Sequence, residues 1–266
     1  DAGAARSDDA GGVGDAGSPG NASAPPAPVD NSGASLPPLA GGGDSAATGD
    51  ASSVEPLART LAVQIAQKSL YSFDPAFVSL IKNYTNEYRT AAGYSERARK
   101  YRDAVDREFV NVQGIQPPLI GYVLAMSRSK FIEREAGGVW ALPASVRSNA
   151  PDGAGDTAAA DPAAASTRLA ASYIKDLLDL FGRDQFMYAV ACYGMTLDDA
   201  GRVKTELERR DPSGQMRYDF WKMKQAGVVR GEQVERVARF FAAGIVAENP
   251  QRFGLKDRPL SSLYDL

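Results

Sequence analysis

Histidine is absent from the 266 residues, and cysteine occurs once, at Cys192. The first absence excludes Ser-His-Asp and Cys-His catalysis and every metal site that needs imidazole. The second excludes an intramolecular disulfide and leaves the redox compartment open. Within the run FMYAVACYGM the lone thiol reads as a small buried hydrophobe. No apolar stretch reaches the ~18–20 residues of a membrane span, and no secretory signal pattern is visible. The chain opens in low-complexity sequence without Met, so an export signal or an anchor upstream of Asp1 is compatible with it.

Aromatic residues are missing from positions 1–53, and large aliphatic ones are nearly so. Stretches such as AGGVGDAGSPGNASAPPAPVD bury too little apolar surface to offset chain entropy, and the segment reads as a disordered acidic linker. Charge is divided unevenly. Residues 1–56 hold eight acids and one base, a net of −7, so that the overall −3 leaves +4 on residues 57–266. An acidic tether therefore precedes a mildly basic body. That balance suits an anionic polymer but is too weak to argue for nucleic acid.

What is present from Val54 onward is helical spacing. Leu57, Leu61 and Ile65 recur every four residues, and Asp74-Pro75 supplies a cap followed by proline at a first helical position. Phe77, Leu80, Ile81, Tyr84 and Tyr88 follow on one face. SERARKYRDAVDREFVNV, from Ser95, predicts a further helix, and Pro117-Pro118 opens another. The Gly-, Ala-, Pro- and Asp-rich segment 148–166 reads as a loop. Helical patterns then resume over 166–181, 185–193, 197–210 and 231–250, and no period-2 run of useful length appears. The expectation is an all-α fold: a linker over 1–53, a helical extension over 54–94, a main helical domain over 95–255 and a tail over 256–266.

Six short motifs occur in one order. Pro117-Pro118 leads into Arg128-Ser129-Lys130-Phe131, and Gly138-Val139-Trp140-Ala141-Leu142-Pro143 follows. STRLAASYI (166–174) comes next, then Ala191-Cys192-Tyr193-Gly194, Asp219-Phe220-Trp221 and Glu248-Asn249-Pro250. Taken together, residues of about 95–255 resemble the lytic transglycosylases of the lysozyme-like fold, closest to the membrane-bound type D branch. The resemblance implies a bacterial periplasmic or cell-envelope location and a cleft that meets peptidoglycan glycan strands. It implies no cofactor and no metal.

The resemblance also implies where chemistry should sit, and there the sequence departs from it. A glutamate that protonates the glycosidic oxygen and then acts as base is expected where Arg128 stands. A guanidinium stays protonated and is neither a usable acid nor a base. Beside an oxocarbenium-like transition state its charge is also of the wrong sign. Ala141 replaces an expected glutamine, Gly194 an asparagine and Arg236 a tyrosine, while Tyr193 is kept. The expectation is a pseudoenzyme serving as a scaffold within an envelope protein complex, with segments such as ERVARFFAAGIVA (235–247) offered as a partner surface. One alternative is a peptidoglycan-binding module, with Trp140, Tyr188 and Tyr193 stacking on sugars and Arg128 and Arg236 meeting carboxylates. Another is an active transglycosylase using a relocated acid, Glu133 or Glu135.

Overall fold

A computed structural model describes residues 54–68, 70–133, 138–148 and 161–264. The 1–53 linker, residues 149–160 of the expected loop, Arg134 and Glu135 lie outside the described residues. The architecture is all-α, and the described residues hold no strand beyond a single parallel bridge between Ser72 and Asp219.

Helix α1 (Val54–Ala66) buries Ala58, Leu61, Ala62 and Ile65, the three-to-four spacing of one helical face. Helix α2 (Pro75–Tyr88) starts as the Asp-Pro pair predicts, with Asp74 Oδ1 accepting from the Ala76 N–H at 2.7 Å. The helix expected from Ser95 is broken into α3 (Tyr94–Arg99) and α4 (Arg102–Val105), the latter running into a π-helical turn over Asp106–Val112. The wider turn carries the successive residues Glu108 and Phe109 inward together. Phe109 then lies so close to α5 (Leu119–Ser129) that a Cβ on Gly121 would come within 2.5 Å of its ring. Only glycine admits that approach.

After the short α6 (Ala144–Ser148) comes α7 (Pro162–Phe181), which starts earlier than the expected loop allows. Asp161 Oδ1 accepts from the Ala164 N–H at 3.1 Å, and Pro162 occupies the first helical position. This is the same device as Asp74-Pro75, hidden in an alanine-rich stretch. Then follow α8 (Phe186–Cys192), α9 (Leu197–Arg210), α10 (Phe220–Gln225) and α11 (Gly231–Glu248).

The core is organised around α11, which packs against α1, α2, α5 and α8. Every residue from Phe240 to Ala247 is buried, so this half of α11 is apolar on all sides and enclosed by other helices. The expectation that ERVARFFAAGIVA presents a partner surface is therefore corrected: its second half is interior. Helices α1 and α2 share one core with the later helices. The 256–266 tail joins it through buried Leu260 and Leu263, and Tyr264 stacks on Tyr122 with ring centroids 6.1 Å apart. No helix among the described residues is long and apolar enough to cross a membrane.

Close packing of α11 makes one prediction. A Cβ on Gly244 would collide with Leu61 of α1 and come within 3.1 Å of Val123 of α5. Gly244→Ala should lower the unfolding free energy by about 1–3 kcal/mol, read from urea denaturation. An unchanged midpoint would mean that α1 slides away freely.

Candidate binding groove

Helix α5 stops abruptly because Lys130 and Phe131 both adopt left-handed backbone, each at φ 57°. Three bonds hold this end in place. Tyr88 Oη donates to Ser127 O at 3.1 Å, Ser129 Oγ donates to Val139 O at 2.7 Å, and Lys130 Nζ donates to Glu87 O at 2.6 Å. Arg128 is thus fixed in the last turn of α5 with its side chain exposed.

Opposite it, the first half of α11 presents Glu232, Glu235, Arg236 and Arg239 at helical spacing. Together with Ser127 and Arg128 these side chains line a groove of ≈310 Å³. The arginines differ in their ties. Arg239 pairs with Glu235 at 3.2 Å and Glu87 at 3.5 Å and lies over the Tyr84 ring at 4.3 Å. Arg236 is half-buried and donates Nη1 to Ala191 O at 2.5 Å. Burial, and then the charge of Arg128, pull its guanidinium below the ordinary value. Arg128 makes no hydrogen bond or ion pair among the described residues. Two like charges therefore face one opening, and among the described residues neither carries a bonded carboxylate.

Two other expected residues lie beneath this groove. Tyr193 is 1% exposed, donates Oη to Trp140 O at 2.9 Å and packs on Tyr173 with centroids 5.6 Å apart. Burial pushes its hydroxyl well up, and Arg128 acts in the opposite direction. Trp140 is 0% exposed, with its ring 5.3 Å from that of Phe109. Tyr188 belongs elsewhere in the core, between Phe181 and Phe220, with Oη donating to Arg217 O at 2.6 Å. The expectation that Trp140, Tyr188 and Tyr193 stack on sugars is corrected, because all three rings are enclosed by protein. Arg128, Tyr193 and Arg236 are brought together; Trp140 joins them only through its carbonyl.

The groove's carboxylates are poorly suited to general acid catalysis. Glu232 is exposed rather than walled in by apolar side chains, and Glu235 is held by Arg239. Glu133 accepts the Tyr101 hydroxyl at 2.5 Å and does not line the groove. Cys192 is buried as expected, and burial pushes its thiol up to about 12, far from reactive. Sequence reasoning missed Glu235 and Arg239, although their offsets of three and seven from Glu232 place them on the same helical face. No protein-family model, no curated protein and no solved structure matches this chain.

Proposed function

We propose that this chain is a non-catalytic, transglycosylase-like module of the bacterial envelope that holds an anionic ligand in the groove between α5 and α11. The observation that carries the reading is Arg128, a guanidinium without a hydrogen bond or ion pair among the described residues, set beside half-buried Arg236. A carboxylate entering there would accept charge-assisted hydrogen bonds and relieve the repulsion between the two. Peptidoglycan supplies such carboxylates on its lactyl and peptide groups. Buried Trp140 and Tyr193 leave recognition to charge rather than to sugar stacking. A scaffolding role within an envelope protein complex is the second reading, favoured by the same burial, which leaves the groove without an aromatic platform.

Co-sedimentation of the full chain with intact sacculi, with the supernatant assayed for anhydro-muropeptides, tests both. Pelleting without product, weakened about tenfold or more by Arg128→Ala, is the expected result. Arg128→Glu should likewise lose binding and gain no lytic activity, since Ala141, Gly194 and Arg236 also depart from the catalytic pattern. Absence of pelleting turns the reading to the scaffold. Anhydro product released by the unmodified chain overturns its non-catalytic character.

A further inference from the structure

A second concave site forms where the tail crosses the start of α3, away from the groove. Its foundation is Asp257, which is 8% exposed. Oδ2 accepts from the Gly93 N–H at 2.9 Å, and Oδ1 accepts from the Ser95 N–H at 2.9 Å and from Ser95 Oγ at 3.0 Å. A carboxylate from the far end of the sequence thus caps the first turn of α3. The next residue is held as well, with Arg258 N–H donating to Ser95 Oγ at 3.4 Å and Tyr94 Oη donating to Arg258 O at 3.0 Å.

This clamp sets the exposed Arg258 side chain against Arg99 at the end of α3 and Arg102 at the start of α4. The three arginines, with Ser95, Ser262 and Leu263, line a pocket of ≈270 Å³. Among the described residues no acid lines it, in contrast to the α5–α11 groove. Asp257, next to Arg258, faces inward with both oxygens occupied by Gly93 and Ser95, while Asp103 and Asp106 line the adjoining pocket that shares Arg102. Among the described residues Arg99 carries an exposed ion pair with Glu96 at 3.1 Å, the kind that contributes little. The Arg258 side chain makes no hydrogen bond or ion pair among the described residues.

Arg99 and Arg258 already offer more donors than a planar carboxylate can use, since a single Arg engages both of its oxygens, and Arg102 adds positive charge beside them. A phosphate offers acceptors in several directions at once and matches the geometry that arginine serves best. We infer that the pocket lined by Arg99, Arg102 and Arg258 is a phosphate-binding site, occupied either by a free phosphorylated molecule or by the phosphate of a lipid headgroup.

Two measurements on the full chain at about 0.15 M salt test this. The first is calorimetric titration with inorganic phosphate; the second is flotation with phosphatidylglycerol vesicles against phosphatidylcholine vesicles. Saturable phosphate binding that weakens about tenfold or more in Arg258→Ala supports the site with a soluble ligand. Selective flotation with phosphatidylglycerol, lost in the same variant, supports it with a lipid source. Arg258 is exposed, so the variant should keep its urea midpoint, and Arg99→Ala should weaken the same signal. Both variants should still pellet with sacculi as the unmodified chain does, which separates this site from the groove. Failure of both probes to bind, or binding that Arg258→Ala and Arg99→Ala leave unchanged, overturns the inference.

Discussion

Asp211→Ala should lower the unfolding free energy by about 3–5 kcal/mol, the cost of removing one partner from a buried charge pair. The Asp211 side chain is 0% exposed and organises the turn after α9. Oδ2 accepts from the N–H groups of Met216 and Arg217 at 3.0 and 2.8 Å and from Arg217 Nε at 3.3 Å. Oδ1 accepts from Ser213 Oγ at 3.0 Å. Alanine would strand these donors, with Arg217 itself only 14% exposed. Burial alone would raise the carboxyl's pKa, but the Arg217 and Met216 N–H groups, the Ser213 hydroxyl and the Arg217 guanidinium outweigh it and hold it below the ordinary range. A depressed folded pKa gives stability that is present above the unfolded value of about 3.9 and is lost as pH falls through the folded value. Urea titrations at pH 7 and pH 3 should therefore show the gap between the unmodified chain and Asp211→Ala narrowing at the lower pH. A gap of under ~1 kcal/mol at pH 7, the worth of one ordinary hydrogen bond, would show that the turn finds other acceptors.

Trp140→Ala should cost about 3–5 kcal/mol as well, and it separates two views of this residue. An aromatic platform for sugars would be dispensable for folding, and its loss would appear in binding alone. A buried ring packed on Phe109, with its carbonyl holding Tyr193, should instead appear in the denaturation midpoint. Tyr193→Phe isolates the polar part, because it removes only the bond to Trp140 O and should cost about 1 kcal/mol. A Trp140→Ala variant with a native midpoint and lost sacculus binding would restore the platform view.

The helices were legible where two signals coincided, as at Asp74-Pro75 followed by the inward face Phe77, Ile81 and Tyr88. At Asp161-Pro162 the cap was equally present, but the alanines after it carry no apolar periodicity, so α7 was read four residues short. The π-turn at Asp106–Val112 left no mark, because its reason lies in another segment: Phe109 needs the space over Gly121. Burial of Trp140, Tyr188 and Tyr193 was illegible for a similar reason. An aromatic beside a cleft motif looks the same in sequence whether it faces the opening or the floor. Arg128 and Arg236 were both named as candidate cleft residues through the resemblance, and they line one groove. Arg99 and Arg258 could not have been joined by any local pattern, because long-range bonds from Asp257 and Arg258 to the start of α3 bring them together.

The place of α11 has a consequence for how the chain reaches its native state. The helix at the centre of the core is the last long one in the sequence, and its neighbours α1 and α2 are the first. During synthesis the parts of α1, α2 and α5 that pack on α11 stay uncovered until residues 231–248 arrive. Contacts of such sequence separation carry a large loop-closure cost and slow the approach to the transition state. Folding should therefore be a late, all-at-once event rather than one that proceeds helix by helix behind the ribosome, and chains arrested before Gly231 should remain sensitive to protease throughout.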